Sequence, residues 1–147
     1  MNLAVKIGEG TKIYQSELSN IRECEIGEDC VIHSNVWIGD GVKIGNRVKI
    51  QAFTFIPEGV TIEDDVFIGP RVTFTNDAKL MIRGRKFWEK TLVKKGVKLG
   101  ASVTILAGVT IGENALIGAG TVITKDVPAN EIWVGAKASF LKKVDQS

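Results

Sequence analysis

An aliphatic residue recurs at every sixth position along most of the chain. The first run contains eight isoleucines from Ile26 to Ile68 and ends at Phe74. The spacing resumes at Val93 and continues to Ile123, which makes fifteen six-residue units in all. An α-helix repeats about every 3.6 residues and a single strand about every two, so neither element explains this period. We interpret each unit as a short strand followed by a corner, and a repeat of this kind predicts a solenoid.

Two further features of the unit support this interpretation. Glycine often follows the aliphatic residue, and Asp, Asn, Glu or Gly often comes next, which is typical of turns. A valine, alanine, threonine or cysteine stands two residues before most aliphatic positions and is also predicted to point inward. Three units close a triangular coil, and successive coils stack about 4.8 Å apart. The chain is therefore predicted to be an all-β parallel β-helix with a core of isoleucines.

The register breaks once, between Phe74 and Val93. Continuing the period would place Lys86 in the core, where an unpaired charge is very unfavourable. We therefore predict one extruded loop at about residues 77–90. Loops of this length in a compact domain are more often functional than incidental.

The length of 147 residues predicts one domain, covering residues 1–147. Its regular coils are expected at residues 26–76 and 91–128. Residues 129–147 leave the pattern, and we expect this C-terminal segment to fold back over or along the coils, where it would shield an edge.

Composition excludes several classes of function. Nineteen basic residues against seventeen acidic ones give a net charge of +2, which does not indicate a nucleic-acid partner. Two cysteines, Cys24 and Cys30, are too few for a disulfide framework and are interpreted as reduced core thiols. We find no signal pattern at the N-terminus and no apolar run long enough for a membrane helix, so a cytoplasmic protein without a membrane partner is expected.

The string of [Ile/Leu/Val]-Gly-x-x-[small/branched]-x units resembles the hexapeptide-repeat acyltransferase family over about residues 26–136. The resemblance implies a left-handed β-helix, assembled as a homotrimer with active sites between subunits. Within that family, three segments look like the sugar-nucleotide 3-N-acetyltransferases: EDDVFIGPRVTFTND (63–77), TLVKKGVKLGASVTILAGVTIG (91–112) and IGAGTVITKDVP (117–128).

Those enzymes transfer the acetyl group of acetyl-CoA to the amine of a 3-amino deoxy sugar linked to dTDP or UDP, for bacterial surface polysaccharides. The resemblance therefore implies a nucleotide-linked amino sugar and acetyl-CoA as substrates. The Thr-Asn-Asp form of residues 75–77 favours the dTDP-3-amino-3,6-dideoxyhexose branch over the UDP-aminouronate branch. The chain departs from the family at Ala78 and Lys79, where Pro-Arg is common, and at residues 135–139, where Gly-Asn-Pro-Ala-Arg is usual.

Asn76 and Asp77 stand where the coil meets the loop. Both residue types also serve simply as turn residues. The resemblance implies a catalytic role, in which the Asn76 amide binds the sugar amine or an adjacent hydroxyl. Asp77 would hold the amine or orient a sugar hydroxyl.

The predicted loop interleaves basic and aromatic side chains. Arg83, Arg85, Lys86 and Trp88 offer forked donors and a flat face, which suit the diphosphate and base of the sugar nucleotide. A solvated surface loop is the alternative interpretation.

Small corner residues and lysines are the candidates for acetyl-CoA binding. Gly100, Ala101, Gly118 and Ala119 keep corners small enough for an extended pantetheine arm to meet backbone N–H groups, or they are turn residues only. The resemblance places the nucleotide end of the coenzyme near Lys125 and Lys137, in the last coil and the tail.

His33 is the sole histidine of the chain and the obvious candidate for a general base. It lies far upstream of the loop, and an amine nucleophile is partly neutral near physiological pH, so we expect transfer without a histidine base. One histidine also cannot supply a three-imidazole zinc site, and no metal is expected.

Trp37 and Phe55 each precede an inward isoleucine, are 18 residues apart and are predicted to stack on one outward face as part of a trimer interface. Two alternatives remain open at this stage. One is an acyltransferase for another small amine or hydroxyl acceptor, and the other is a non-catalytic β-helix that serves as an oligomerisation module.

Overall fold

The computed structural model describes residues 4–78, 88–136 and 138–145. These residues wind into a parallel β-helix of about seven turns, with one short 3-10 helix, η1 (Ser16–Leu18). The strands of the first three coils are β1 (Lys6–Ile7), β2 (Lys12–Ile13), β3 (Asn20–Ile21), β4 (Glu25–Ile26), β5 (Val31–Ile32), β6 (Trp37–Ile38), β7 (Lys43–Ile44), β8 (Lys49–Ile50) and β9 (Phe55–Ile56). The later strands are β10 (Val60–Ile62), β11 (Phe67–Ile68), β12 (Thr73–Phe74), β13 (Thr91–Val93), β14 (Lys98–Leu99), β15 (Thr104–Ile105), β16 (Thr110–Ile111), β17 (Leu116–Ile117), β18 (Val122–Ile123), β19 (Glu131–Val134) and β20 (Ser139–Lys143).

The strands form three faces, which we call A, B and C in the order in which each coil visits them. Face A stacks β1, β4, β7, β10, β13 and β16, and face C stacks β3, β6, β9, β12, β15 and β18. Face B stacks β2, β5, β8, β11, β14, β17 and β19, with β20 at its end. Corners A–B, B–C and C–A link the faces in chain order. The predicted three-unit coil is confirmed.

Both predicted inward columns form the core. Ile32, Ile38 and Ile50 are fully buried, and so are Val36 and Val48 in the second column. Each aliphatic side chain lies on the equivalent residue of the next coil, as in the pairing of Ile38 with Ile56. Burial of one such side chain contributes about 1.5–3 kcal/mol, and the stack of coils multiplies that contribution.

The first coil is irregular because η1 is inserted in its B–C corner. The insertion lengthens the step from Ile13 to Ile21, and Ile21 then takes the core position of face C with 2% exposure. From Ile26 onward the six-residue register holds.

The register break occurs at the C–A corner of the fourth coil, as predicted. Strand β12 ends at Phe74, and β13 stacks on β10 through pairs that include Ile62 and Val93. The backbone N–H of Glu89 donates to the Asn76 carbonyl at 2.9 Å and closes the base of the loop. Residues 79–87 of the loop lie outside the described residues.

The C-terminal segment differs in part from the expectation. The parallel coil continues beyond residue 128, because β19 pairs with β17 and Trp133 fills the core position on Ile117. Strand β20 then turns back antiparallel to β19. A tryptophan does not match the aliphatic pattern, and Trp133 lies 16 residues after Ile117 and not 18, so the period did not indicate this last strand.

Within the described ranges, none of the helical residues forms a segment long and apolar enough to cross a membrane.

Candidate active site

A pocket of about 240 Å³ lies at the C–A corner, beside the base of the predicted loop. It extends over the first four coils and joins this corner to the outer surface of face C. Its described lining comprises Arg22, Trp37, Gly39, Asp40, Phe55, Pro57, Glu58, Asn76 and Trp88. The pocket therefore brings together Asn76 and Trp88 from the loop base with residues that the sequence analysis did not assign to a site.

The helical repeat positions the polar wall of the pocket. Asp40, Glu58 and Asn76 occupy the same corner position in three successive coils, each 18 residues from the next. Asn76 Nδ2 donates to the Glu58 backbone carbonyl at 2.8 Å. Asp40 Oδ1 accepts a hydrogen bond from the Glu23 backbone N–H at 3.2 Å. These bonds tie the Asn76 and Asp40 side chains to the preceding coil and fix their directions.

Both interpretations of Asn76 have support in this geometry. Its Nδ2 makes a structural contact between coils, which is the role of a turn residue. Its Oδ1 makes no hydrogen bond with the described residues, and the side chain lines the pocket. The amide can therefore hold the corner and present an acceptor to a ligand.

The described lining carries two carboxylates, Asp40 and Glu58, and one guanidinium, Arg22. Arg22 Nε lies 3.8 Å from Asp40 Oδ1, and both side chains are about half exposed. An ion pair in such an exposed position contributes little to stability, about 0–1 kcal/mol. Carboxylate oxygens and the free Asn76 oxygen in this lining can accept hydrogen bonds from a ligand.

Aromatic side chains form the other wall. The rings of Trp37 and Phe55 lie 6.0 Å apart at an interplanar angle of 29°, which confirms the predicted stacking on face C. They remain 37% and 38% exposed. Trp88 faces the same pocket from the far side of the loop. Flat apolar surfaces next to polar groups are suited to a sugar ring, which has apolar C–H faces and a polar edge.

Of the other loop candidates, Asp77 is the one that lies among the described residues. Asp77 is partly buried next to Asn76 and does not line the pocket. Arg83, Arg85 and Lys86 lie outside the described residues, so their proposed contacts with the nucleotide stay predictions.

The candidates for acetyl-CoA binding fall on two corners. Gly100, Ala101, Gly118 and Ala119 stack in the fifth and sixth coils at the B–C corner. A Cβ on Gly100 would lie 2.6 Å from the backbone nitrogen of Ala119, so the approach of the next coil alone requires a glycine there. The four small residues are partly or fully exposed to solvent at this corner.

Lys125 lies at the C–A corner and not with the small residues. Its Nζ is 5.5 Å from the ring centroid of Trp133, at the C-terminal end of the coil. This cation–π contact gives Lys125 a structural role in covering the last core residue. Lys137 lies outside the described residues.

His33 is also at the B–C corner, away from the pocket. Its ring stacks on Tyr14 of the preceding coil, with centroids 5.5 Å apart at 23°. Nothing in the described lining of the pocket brings an imidazole near Asn76. Transfer without a histidine base stays a prediction.

The two cysteines are buried and are not joined in a disulfide. Burial, reinforced by the charges of Asp40 and Glu25, raises the pKa of Cys24 to about 11, so its thiol is a poor nucleophile near neutral pH. No group of three or more His, Cys, Asp or Glu side chains in the described ranges is arranged to hold a metal ion.

Sequence reasoning missed Arg22, Asp40 and Glu58. The period contained the signal, because steps of 18 residues back from Asn76 lead to Glu58 and then to Asp40. The step of 18 residues predicted the core and the stacking of Trp37 on Phe55, but it was not extended to the corner residues. Trp37 and Phe55 were predicted only as interface residues, whereas they line the pocket as well.

Comparisons with known proteins agree with the fold. The family described as bacterial transferase hexapeptide (six repeats) matches residues 23–58, 41–76 and 90–125, on both sides of the loop. A stretch of 48 residues is 44% identical to the bifunctional protein GlmU of Zymomonas mobilis subsp. mobilis. That match covers 33% of this chain and only 10% of the length of that relative.

Several solved structures share the architecture. A mutant of AntD, an N-acyltransferase from Bacillus cereus in complex with dTDP and coenzyme A, superposes with a TM-score of 0.83 at 22% identity over 96% of this chain and 85% of that one. The acetyltransferase domain of PglB from Neisseria gonorrhoeae, in complex with acetyl coenzyme A, gives 0.77 at 17% identity over 90% and 58%. PerB from Caulobacter crescentus, in complex with CoA and GDP-perosamine, gives 0.66 at 16% identity over 97% and 56%.

Proposed function

We propose that this protein transfers the acetyl group of acetyl-CoA to the amine of a nucleotide-linked amino sugar. The premise is that the chain belongs to the bacterial transferase hexapeptide family. The observation that carries the proposal is the C–A corner pocket, where Asp40, Glu58 and Asn76 face the aromatic rings of Trp37 and Phe55. Among the similar folds, AntD is also described in complex with dTDP-4-amino-4,6-dideoxyglucose and coenzyme A. For the present chain we propose a 3-amino deoxy sugar on dTDP or UDP.

The pocket suits an amine better than a hydroxyl acceptor. An amino group offers more N–H donors than the single donor of a hydroxyl, and the Asp40 carboxylate can accept one of them. Asn76 Oδ1 can accept one N–H of the amine. The apolar face of the sugar can pack on Trp37 and Phe55, and removal of water there strengthens the polar contacts.

The reaction needs a neutral amine at the moment of attack. After the ammonium loses a proton to water, its nitrogen lone pair attacks the thioester carbonyl carbon and forms the C–N bond. Collapse of the tetrahedral intermediate breaks the C–S bond, and the nitrogen proton passes to the departing sulfur or to water. The protein contributes orientation, which can supply about 7–11 kcal/mol, and backbone N–H groups that stabilise the oxyanion.

The site is expected to be shared between subunits of a homotrimer. The small residues proposed for the acyl donor lie at the B–C corner, whereas the acceptor pocket lies at the C–A corner. The two corners border face C on opposite edges and differ in height along the coil. A donor bound at the B–C corner of a neighbouring subunit that packs against face C would meet the amine directly.

A cytoplasmic location and a role in surface polysaccharide biosynthesis are part of this proposal. Two buried, unpaired thiols fit a reducing compartment.

The test is a thiol-release assay with acetyl-CoA and a panel of dTDP- and UDP-linked 3-amino and 4-amino sugars. We expect release that depends on the amino sugar, with the 3-amino compounds preferred. The matching sugar with a hydroxyl in place of the amine should be a poor acceptor. Release with none of the amino sugars, or equal release with the hydroxyl compound, would contradict the proposal.

A further inference from the structure

The B–C corner has an unusual pair of residues in its third and fourth coils. The last corner residue of coils two to six has a positive φ, at Asn35 (60°), Phe53 (64°), Arg71 (59°), Ser102 (60°) and Gly120 (71°). Glycine and asparagine adopt this backbone conformation readily, whereas bulky side chains rarely do. Phenylalanine and arginine therefore occupy positions at which they oppose folding.

Stacking of the coils imposes this conformation on whichever residue is present. The backbone N–H of Arg71 donates to the Ala52 carbonyl at 3.0 Å, and that of Ser102 donates to the Pro70 carbonyl at 2.9 Å. The same bond recurs up the corner, so no local side-chain contact is needed to explain it. Glycine at either position would adopt the positive φ with less steric strain.

The two side chains make a flat platform that faces solvent. The Phe53 side chain is 56% exposed and adds little to the core. The Arg71 guanidinium carbon lies 5.6 Å from the centroid of the Phe53 ring. The platform thus combines an aromatic face with a delocalised cation.

The guanidinium of Arg71 is available to a ligand. Arg47 has a similar backbone conformation at the A–B corner, but its guanidinium is held by Asp65 through bonds of 2.7 and 3.2 Å. Among the described residues, no carboxylate lies within ion-pair distance of Arg71.

The corner around the platform is free of negative charge. No Asp or Glu occurs among its residues in coils two to six, namely 33–35, 51–53, 69–71, 100–102 and 118–120. The other two corners carry carboxylates, such as Asp64 and Asp65 at A–B and Asp40 and Glu58 at C–A. In coils two to six, an anion that approaches this corner meets one guanidinium and no carboxylate among the corner residues.

We propose that Phe53 and Arg71 form a subsite for a nucleoside diphosphate. The Phe53 ring would stack on the base, and the forked donors of Arg71 would bind the phosphate oxygens. This inference rests on the proposed function in one respect, since both of its substrates carry a nucleotide with a diphosphate. The subsite takes either the adenine nucleotide of the acyl donor or the pyrimidine nucleotide of the acceptor, and the ligands below separate the two.

The experiment measures binding by titration calorimetry with dTDP, UDP, ADP and inorganic pyrophosphate. The variants are Phe53→Gly and Arg71→Gln, in the full chain. Phe53→Gly should raise the Kd of the preferred nucleotide about 10-fold, which corresponds to the loss of one base-stacking contact, and should leave pyrophosphate unaffected. Arg71→Gln should weaken both. Preference for dTDP or UDP assigns the subsite to the acceptor, and preference for ADP assigns it to the donor.

Stability provides the control, because Phe53→Gly places a favoured residue in the strained position. Its Tm should equal or exceed that of the natural protein, as should that of Gln15→Gly, which changes another exposed residue with positive φ (47°) at the same corner. Gln15→Gly should bind nucleotide normally. A structural role for Phe53 predicts the reverse, with a lower Tm and unchanged affinity.

Three results would overturn the inference. The first is no nucleotide binding by the natural protein, and the second is an unchanged Kd in Phe53→Gly. The third is a variant that changes its sedimentation coefficient but not its affinity for nucleotide, which would make the corner a protein interface.

The proposed function can fail separately. If the natural protein releases thiol with an amino sugar and Phe53→Gly binds nucleotide with an unchanged Kd, only the subsite is refuted. Nucleotide binding that depends on Phe53, with no amino sugar accepted, would refute only the acetyltransferase.

Discussion

At the scale of single residues, Asn76 has a structural contact and a proposed binding contact in one amide. Nδ2 is bonded to the Glu58 carbonyl between coils, and the side chain lines the pocket. A partly buried hydrogen bond of this type contributes about 0.5–1.5 kcal/mol. Loss of the side chain should therefore affect both stability and recognition of the acceptor, and a matched variant is needed to separate them.

We predict that Asn76→Ala raises the KM for the amino sugar, lowers kcat, or both, and leaves the affinity for acetyl-CoA nearly unchanged. Its free energy of unfolding should fall by about 1 kcal/mol. Asn46→Ala is the matched control, because Asn46 Oδ1 accepts a bond of 2.8 Å from the Glu28 N–H of the preceding coil, away from the pocket. Steady-state kinetics and thermal melting on both variants provide the comparison. Equal melting shifts with unaltered sugar kinetics in both would make Asn76 a turn residue only.

His33 is predicted to be dispensable for transfer, because the nucleophile is an amine and the ring stacks on Tyr14 at another corner. His33→Ala should keep most of the activity in the thiol-release assay. A loss greater than about 100-fold, equivalent to ~2.7 kcal/mol of transition-state stabilisation, would instead identify the histidine as a base.

At the scale of elements, the β19–β20 hairpin closes the C-terminal end of the coil. Glu131 accepts hydrogen bonds from Lys143 Nζ at 2.8 Å and from Trp133 Nε1 at 2.9 Å. The bond from Lys143 joins β20 to β19, and the bond from Trp133 lies within β19 and fixes the indole of the last core residue. Strand β20 is then the edge strand of face B, and its charged side chains Lys142 and Lys143 disfavour pairing with another chain.

The bonds from Lys143 and Trp133 lower the pKa of Glu131 below its ordinary value of 4.5. A carboxyl with a depressed pKa in the folded state stabilises the protein above its unfolded pKa, and that stabilisation is lost as pH falls through the folded pKa. We predict that Glu131→Gln lowers the Tm at pH 7, and that the difference from the natural protein shrinks as the pH falls below 4.5 and through the lowered pKa of Glu131. Melting curves between pH 3 and 7 test this; a difference that does not vary with pH would mean that the charge of Glu131 is unimportant.

At the scale of the whole molecule, the three faces differ in charge. Face A presents Lys6, Glu25 and Lys43 outward, and face B presents Lys12, Lys49 and Lys98. The outward residues of face C are all uncharged: Asn20, Trp37, Phe55, Thr73, Thr104 and Val122. A face without charge is the one best suited to contact another subunit.

We predict a homotrimer whose interface includes Trp37 and Phe55. Replacement of both by serine should reduce the mass measured by sedimentation from trimer towards monomer at micromolar concentration. Phe67→Ser is the matched control, since Phe67 is 36% exposed on face B. A natural protein that sediments as a monomer would remove both the interface and the shared active site.

The period alone was enough to predict the coil, both inward columns, the register break and the stacking of Trp37 on Phe55. These features follow from spacing, because a side chain at a given position of the repeat has the same direction in every coil. Residues outside the period were harder to place. Trp133 continues the core although it breaks the aliphatic pattern, and η1 shifts the first coil so that Ile21 takes the core position.

Tertiary structure decided which corner residues meet. Gly100 and Lys125, both predicted to contact the coenzyme, lie on different corners, and Lys125 also lies over the ring of Trp133; their contacts with the coenzyme stay predictions. Asp40 and Glu58 were not predicted at all, although they share a corner with Asn76. The physical reason is that burial acts on every coil alike and so appears in the sequence as a period. Corner side chains are free of that constraint, and their directions depend on bonds to the neighbouring coil and on where the long loop leaves the helix.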